Sequence, residues 1–115
     1  MREMQSIFSD THFAYNRYDV TDDAKPTLRK IADWMLKRTS VTILVEGHCD
    51  ERGTNEYNLA LGDQRAQATK SYLVSLGVSS SRIETVSFGK EQPLCTEKTE
   101  ECWTKNRRAH FVMSK

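Results

Sequence analysis

The sequence lacks long apolar runs and runs of charge of one sign, and each absence excludes a class of protein. No stretch approaches the roughly 20 apolar residues that a membrane-spanning helix needs. Lys and Arg number 17 against 16 Asp and Glu, and no basic run of the kind that binds nucleic acid or anionic lipid is present. The first residues also lack the apolar region of an export signal. We therefore expect a trimmed piece of a longer protein, with no affinity for nucleic acid.

Internal repeats, low-complexity segments and interdomain linkers are also missing. Only two prolines and five glycines occur in the 115 residues. A chain of this length can bury a substantial core without metal ions or several disulfides. We therefore expect a single domain over residues 1–115.

Three cysteines leave the compartment open. Cys95 and Cys102 flank a polar segment, and their spacing fits a disulfide as well as it fits two free thiols in a cytosolic protein. A disulfide would indicate an oxidising compartment. Cys49 is left over, and its expected role is that of a small buried residue rather than a reactive thiol.

Apolar periodicity predicts four strands and two helices. Residues 6–20 contain enough β-formers for a first strand. The helices are expected at about residues 21–38 and 55–76, and Gly77 suits the left-handed position that ends the second helix. The remaining strands are expected at residues 41–45, 82–88 and 109–113.

The order β-α-β-α-β-β predicts the α+β class. The expected architecture is a two-layer α/β sandwich, in which one mixed four-stranded sheet carries both helices on one face. Ligand sites in such sheets favour strand ends and the loops that lead into helices. The turn at Asp50 and the loop at Asn16 both lie at such places.

Residues 46–58 are the most informative part of the chain, because they lead from an apolar strand through a charged turn into a helix. Asp50 follows the strand, and Asn58 lies two helical turns before Arg65, on the same helix face. A carboxylate can accept from an ammonium while a guanidinium binds a carboxylate through two parallel bonds. The pattern therefore suits a zwitterionic amino acid group. A purely structural salt bridge between Asp50 and Arg65 explains the same residues, and both interpretations stay open.

Metal binding and catalysis are not expected. His48, Cys49, Asp50 and Glu51 are of metal-ligand type, yet successive residues at a strand end point in opposite directions and rarely bind one ion. The same geometry argues against acid–base or nucleophile pairs among them. No G-x-S-x-G, H-E-x-x-H or glycine-rich phosphate loop occurs. We therefore expect a binding protein without cofactor.

Residues 105–108 are basic and precede the last predicted strand. They form either a solvated turn or a second basic wall for an acidic ligand group, with Asn106 fixing a loop. Trp103 is expected in the core or as a lid under the loop at residues 95–102.

Several gapped motifs together resemble the OmpA-like peptidoglycan-binding domain. They are residues 45–54, which contain the turn Asp-Glu-Arg-Gly-Thr, then Tyr57-Asn58, Leu61-Gly62, Arg65-Ala66 and the Asn-Arg-Arg-Ala of residues 106–109. The match covers about residues 13–113 in the family's order. The turn, together with the Ser-Phe-Gly-Lys-Glu of residues 87–91 and the proline that follows, is similar to the lipid-anchored, peptidoglycan-associated branch of that family rather than to the flagellar-stator branch.

The resemblance implies a ligand, the meso-diaminopimelate of the peptidoglycan stem peptide. In the family pattern the carboxylate at Asp50 takes the amino group, and the guanidinium at Arg65 takes the carboxylate. The loop at Asn16 contributes largely through its backbone, and Asn16 stands where many members have Asp. The expected ligand-binding residues are therefore Asp50, Arg65, Asn58, Tyr15, Asn16 and Arg108, with Arg107 as the alternative to Arg108.

The resemblance also implies a location and partners. The domain is expected at the periplasmic face of the outer membrane, lipid-anchored in the full-length protein, where oxidation favours the Cys95–Cys102 disulfide. Its expected partners are peptidoglycan and a TolB-like periplasmic protein, in a Tol-Pal type system that anchors the membrane to the wall. The rival interpretations are a protein-interaction module with a structural Asp50–Arg65 pair, and a peptidoglycan hydrolase.

Overall fold

The computed structural model describes residues 7–114. Its strands are β1 (Thr11–His12), β2 (Thr42–His48), β3 (Ile83–Gly89) and β4 (Arg108–Ser114). Its helices are α1 (Lys25–Lys37), α2 (Asn55–Ser75) and α3 (Glu100–Asn106), and a 3-10 turn at Ser80–Arg82 leads into β3. Within this part of the chain no helix has both the length and the apolar character that crossing a bilayer requires.

The four strands form one mixed sheet in the order β1-β4-β2-β3. β2 runs parallel to β3, with Ile43 opposite Ile83, and antiparallel to β4, with Val45 opposite Phe111. β4 also pairs antiparallel with β1. This confirms the predicted fold class and the single mixed four-stranded sheet.

The core lies on one face of the sheet, under both long helices. Alternate positions of β2, Ile43 and Val45, are buried, as a strand with one covered face requires. They join a single apolar cluster whose other members include Leu28, Ile31 and Met35 of α1, Ala66 and Leu73 of α2, and Ala109 and Phe111 of β4. Each large apolar side chain buried in this way stabilises the fold by roughly 1.5–3 kcal/mol.

α1 begins later than the sequence indicated. The prediction placed its start near Thr21, but residues 21–24 form a turn in which the Thr21 hydroxyl accepts from the Ala24 backbone N–H at 3.2 Å. The helix starts at Lys25, with Pro26 in its first turn, where its missing N–H costs nothing. Asp22 and Asp23 therefore lie just before the helix.

α2 is placed against the sheet by two glycines. Thr54 caps the helix, since its hydroxyl accepts from the Tyr57 backbone N–H at 3.1 Å. Eight residues on, Gly62 faces Gly47 of β2, and a Cβ on Gly47 would lie 2.6 Å from the Gly62 carbonyl carbon. Helix and strand therefore touch backbone to backbone, which sets the height of Arg65 above the sheet.

Two further elements differ from the prediction. The first strand was expected somewhere within residues 6–20; Ser6 lies outside the described residues, and the strand found is the two-residue β1. The sequence analysis also missed α3, which it treated as a polar loop. Thr99 caps α3 by accepting from the Cys102 N–H at 3.1 Å, and Glu100 and Glu101 occupy its first turn, where carboxylates favour the helix dipole.

Asn106, at the end of α3, holds the segment before that helix. Its side-chain oxygen accepts from the backbone N–H groups of Leu94 and Cys95 at 2.8 and 3.2 Å. Its amide nitrogen donates to the Cys95 carbonyl at 2.8 Å. Asn106 is buried, so it supplies the loop-fixing role that its position suggested.

Cys95 and Cys102 are joined by a disulfide in the structure, with their Cα atoms 5.4 Å apart. Replacing both cysteines with alanine is expected to lower the free energy of unfolding by about 2–3 kcal/mol, because the cross-link closes a short loop in the unfolded chain. Urea unfolding of the two proteins measures the difference. Added reductant should shift the wild-type midpoint and leave that of the double variant unchanged. A wild-type midpoint insensitive to reductant would contradict this stabilisation.

Candidate functional site

A cavity of about 250 Å³ opens where the loop after β1, the turn after β2 and the first half of α2 meet. Its lining residues are Tyr15, Asn16, Cys49, Asp50, Arg52, Gly53, Tyr57, Asn58, Leu61 and Arg65. Five of the six residues predicted to bind ligand therefore share one cavity. A second cavity, of about 440 Å³ and beside Phe13 and Ala14, is lined by Asp10 and Asp23 but by no guanidinium. Of these two cavities, the first offers both charges that a zwitterion requires.

Asp50 is a buried carboxylate, 4% exposed. One of its oxygens accepts from the Arg52 backbone N–H at 3.0 Å and from Arg52 Nε at 3.2 Å. The other accepts from Arg52 Nη2 at 2.8 Å and from Arg107 Nη1 at 3.4 Å. Burial alone would raise the pKa of Asp50, but the hydrogen bonds from Arg52 outweigh it and hold the pKa below its usual value. Asp50 is therefore an anion at neutral pH.

Arg65 is a buried cation bound by backbone oxygens. Its side chain is almost fully enclosed, and burial lowers its pKa from the usual arginine value. Nε donates to the Arg17 carbonyl at 2.8 Å, Nη1 to the His48 carbonyl at 3.0 Å and Nη2 to the Ala14 carbonyl at 3.1 Å. A guanidinium has five N–H groups, so one hydrogen on each terminal nitrogen is left over. Within residues 7–114 Arg65 forms no ion pair, so the structure holds no Asp50–Arg65 salt bridge.

Asn58 organises the turn that carries Asp50. Its amide nitrogen donates to the Arg52 carbonyl at 2.7 Å and to the Thr54 carbonyl at 3.0 Å. Gly53, between those two carbonyls in sequence, has a φ of +96°, a conformation that only glycine adopts without strain. Asn58 lines the cavity as predicted, and its buried side-chain amide fixes the turn through these two bonds.

The loop after β1 contributes mainly backbone. Asn16 has a φ of +59°, which asparagine tolerates better than most residues. This turn directs the carbonyls of Ala14 and Arg17 onto Arg65. The Tyr15 side chain is 57% exposed and lies at the rim of the cavity.

Arg52 is a cavity residue that the sequence analysis did not identify as a ligand contact. Its guanidinium carbon lies 4.0 Å from the centre of the Tyr15 ring and 3.9 Å from that of Trp103. Trp103 is held in turn, since its indole N–H donates to the Glu51 carboxylate at 2.9 Å. The sequence places Arg52 two residues after Asp50. The stacking of Arg52 on Trp103 depends on α3, which was not predicted.

Arg108 lies on the other face of the sheet, so its prediction as a cavity residue needs correction. β4 starts at Arg108 and its side chains alternate, so Arg108 is directed away from the face that Ala109 buries under the helices. There it lies 3.4 Å from an Asp10 carboxylate oxygen. The arginine that approaches the cavity is Arg107, whose Nε donates to the Phe13 carbonyl at 2.9 Å and whose Nη1 reaches Asp50.

Cys49 is buried and its thiol lies 3.3 Å from the Asn58 carbonyl, to which it donates. Burial raises the pKa of the thiol to about 11, so only a minute fraction is thiolate at pH 8. We expect iodoacetamide to leave Cys49 unmodified in the native protein and to modify it after denaturation without reduction. Mass spectrometry of the alkylated protein checks this. Modification of native protein at the rate of a free thiol would contradict it.

His48 contacts Glu46 and Phe88 of the neighbouring sheet positions. Its Nε2 lies 2.9 Å from the Glu46 carboxylate, and its ring stacks on Phe88 with centroids 5.4 Å apart. Burial lowers the pKa of His48, against the opposing effect of Glu46. Among the described residues, no group of three or more His, Cys, Asp or Glu side chains is arranged to hold a metal.

Comparison with known proteins adds to this geometry. Residues 12–107 match the OmpA family. The peptidoglycan-associated lipoproteins of Mesorhizobium japonicum and Rhizobium meliloti are 47% and 48% identical over 94% and 93% of this chain, and the matches cover 62% and 58% of those proteins. The crystal structure of the peptidoglycan-associated lipoprotein from Burkholderia pseudomallei superimposes with a TM-score of 0.89 at 40% identity, covering 91% of this chain and 89% of that chain.

These matches identify the family and show how much of the relatives' length this chain covers. The chain spans about 60% of the length of the two curated relatives. The relatives agree with the branch that the turn at residues 50–54 indicated, and OmpA-like domains of this kind are structural and non-enzymatic. The match over residues 12–107 covers most of the chain. The chain therefore belongs to the OmpA family.

Proposed function

We propose that this domain binds peptidoglycan non-covalently through the meso-diaminopimelate of the stem peptide. The observation that carries the proposal is Arg65, a buried cation with two N–H groups that bind no oxygen atom within residues 7–114, at a cavity that also presents the ionised Asp50. The distal end of diaminopimelate carries an ammonium and a carboxylate on one carbon. Its two charges are opposite in sign to those of Asp50 and Arg65, which both line the cavity.

Arg65 is suited to receive the carboxylate. Three backbone carbonyls fix its guanidinium, so binding does not have to immobilise a flexible side chain. The two remaining hydrogens lie on different terminal nitrogens, so a carboxylate that reaches both can accept two bonds. A buried guanidinium without a carboxylate partner gains more from such a bond than an exposed one would, because water screens it less.

Asp50 is suited to receive the ammonium, although its acceptor positions are shared. A carboxylate has about four lone-pair sites, and Arg52 and Arg107 use all of them. The Arg107 bond is the longest of the four, at 3.4 Å, and is the one most readily exchanged for a shorter bond to an ammonium. Arg107 keeps its bonds to the Phe13 carbonyl and to Glu100 when it releases Asp50.

The relatives' names support a role at the cell envelope. They are called peptidoglycan-associated lipoproteins, and we infer that this domain anchors the outer membrane to the wall from the periplasmic side, with a lipid anchor on the full-length protein. A TolB-like periplasmic protein is the protein partner that the resemblance adds, within a Tol-Pal type system. The Cys95–Cys102 disulfide agrees with an oxidising compartment.

Wall binding is expected to depend on the charge of Asp50. Asp50→Asn keeps the size of the side chain but removes the anion that pairs with the ammonium, so affinity for diaminopimelate-type peptidoglycan should fall about tenfold or more. Co-sedimentation with purified wall sacculi measures this loss. Asp33→Asn, an exposed carboxylate on α1, is the matched control and should bind as wild type does.

The same sedimentation separates the rival functions. Equal binding by wild type and a folded Asp50→Asn variant would contradict the proposed site and favour a protein-interaction module. Release of soluble muropeptides from the sacculi would indicate a hydrolase, and we expect none. Circular dichroism of each variant establishes that it is folded before binding is compared.

A further inference from the structure

We propose that Arg52 is a second anion subsite, which takes a further carboxylate of the ligand on the residue next to the diaminopimelate or at the peptide's end. This inference rests on the proposed function and adds to it, since it concerns what lies beyond the zwitterionic group. It makes the preferred ligand a peptide with one ammonium and two carboxylates within reach of the cavity.

One edge of the Arg52 guanidinium is already engaged. Nε and Nη2 donate to the two oxygens of Asp50, at 3.2 and 2.8 Å, in a side-on pair of bonds. The backbone N–H of Arg52 donates to the same carboxylate. The orientation of the guanidinium is therefore fixed from the Asp50 side.

Both faces of the guanidinium are covered as well. Tyr15 and Trp103 lie on it at 4.0 and 3.9 Å, distances at which an aromatic ring attracts a cation. Trp103 cannot swing freely because Glu51 accepts from its indole N–H. The two rings and Asp50 together hold Arg52 in one plane, although its side chain is still 31% exposed.

The part of the Arg52 guanidinium that remains is its end-on edge, formed by Nη1 and Nη2. Within residues 7–114, Nη1 of Arg52 makes no hydrogen bond, and Nη2 makes one with one of its two hydrogens. The outward hydrogens of Nη1 and Nη2 point in parallel, which is the geometry that a carboxylate binds. A guanidinium that is held on one edge and two faces is prepared to bind an anion at the last edge with little loss of entropy.

The charge of the cavity supports a second carboxylate. Its ten lining residues include one carboxylate, Asp50, and two guanidiniums, Arg52 and Arg65. A zwitterionic group adds no net charge and leaves this excess of positive charge in place. A ligand with one more carboxylate balances the lining. Of the two guanidiniums, Arg52 is the one that is partly exposed and that, among the described residues, donates to no backbone carbonyl.

Calorimetric titration with three synthetic stem peptides tests the subsite. All three contain diaminopimelate; the first has its carboxylates free, the second has the carboxylate of the adjoining residue amidated, and the third has the terminal carboxylate amidated. We expect wild type to bind one of the amidated peptides about tenfold more weakly than the peptide with free carboxylates. The peptide that is affected identifies the carboxylate that Arg52 binds. In Arg52→Gln the free and amidated peptides should bind within about twofold of each other.

Two control variants make the result specific. Arg52→Lys retains the charge without the parallel donors and should keep only a small part of the preference. Arg29→Gln removes the charge of an exposed arginine on α1, whose Nη1 donates to the Tyr72 hydroxyl at 3.3 Å, and it should keep the whole preference. Equal binding of all three peptides by wild type, or a preference that survives in Arg52→Gln, would overturn the subsite while leaving the zwitterion site intact. Absence of binding by any peptide would overturn both.

Discussion

Replacing Arg65 with lysine is expected to reduce the affinity for a diaminopimelate stem peptide by tenfold or more while leaving a folded protein. A lysine ammonium has three donors on one atom, so it cannot satisfy three separated carbonyls and also bind a carboxylate through two parallel bonds. The three carbonyls belong to Ala14, Arg17 and His48. We expect a simultaneous loss of about 1–3 kcal/mol in the free energy of unfolding, since at least one buried acceptor loses its donor. Calorimetric titration and urea unfolding measure the two effects.

The chain offers a matched control in Arg82. Its Nε donates to the Val41 carbonyl at 2.9 Å, and its Nη2 donates to those of Met35 and Arg38 at 2.9 and 2.6 Å. Arg82 thus fixes backbone as Arg65 does, but it does not line the candidate cavity. Arg82→Lys should lower stability comparably and leave peptide affinity unchanged. If both lysine variants bind the peptide as wild type does, Arg65 is purely structural and the proposed carboxylate site is wrong.

The second large effect is expected at Gly47, where alanine should destabilise the fold by at least about 3 kcal/mol. The added Cβ would overlap the Gly62 carbonyl oxygen and lie 2.6 Å from its carbon, and backbone cannot move aside as a flexible side chain can. Relief requires α2 to lift from β2, which loses core packing along the helix. Thermal and urea unfolding measure the loss.

The same substitution should impair ligand binding in whatever protein remains folded. Arg65 lies one turn beyond Gly62 on α2, so lifting the helix draws its guanidinium away from the His48 carbonyl at the end of β2. Ser71→Ala, an exposed position of the same helix, is the control and should change stability by less than about 0.5 kcal/mol. A Gly47→Ala protein with near wild-type stability would show that helix and strand are not in the close contact described.

Much of the fold could be predicted because β2 and α1 carry clear local signals. Ile43 and Val45 alternate along β2, and the apolar positions of α1 recur at helical spacing. α3 could not be found in this way. It is seven residues long, with only Cys102 and Asn106 buried, so it has no apolar stripe. The length of β1 could not be predicted for a different reason. β1 is held by pairing with β4, and local sequence does not specify such distant pairing.

The candidate site was predictable in outline only. Asp50, Asn58 and Arg65 follow from a strand end and helical spacing, which local sequence reveals. Two of the three carbonyls that hold Arg65 come from a loop about fifty residues earlier, and nothing local indicates them. The choice between neighbouring arginines was beyond the sequence as well. It depends on the residue at which β4 begins, since alternation places Arg107 near Asp50 and turns Arg108 to the opposite face.

In the proposed function, the cavity recognises both the ammonium and the carboxylate at the distal end of diaminopimelate. The most direct measurement is calorimetric titration of two stem peptides that are identical except for the third residue, diaminopimelate in one and lysine in the other. Lysine keeps the distal ammonium but lacks the carboxylate, so the N–H groups of buried Arg65 would stay unmatched. We expect the lysine peptide to bind about ten- to a hundredfold more weakly, which corresponds to one charged hydrogen-bonding interaction. Equal affinities for the two peptides would contradict the account.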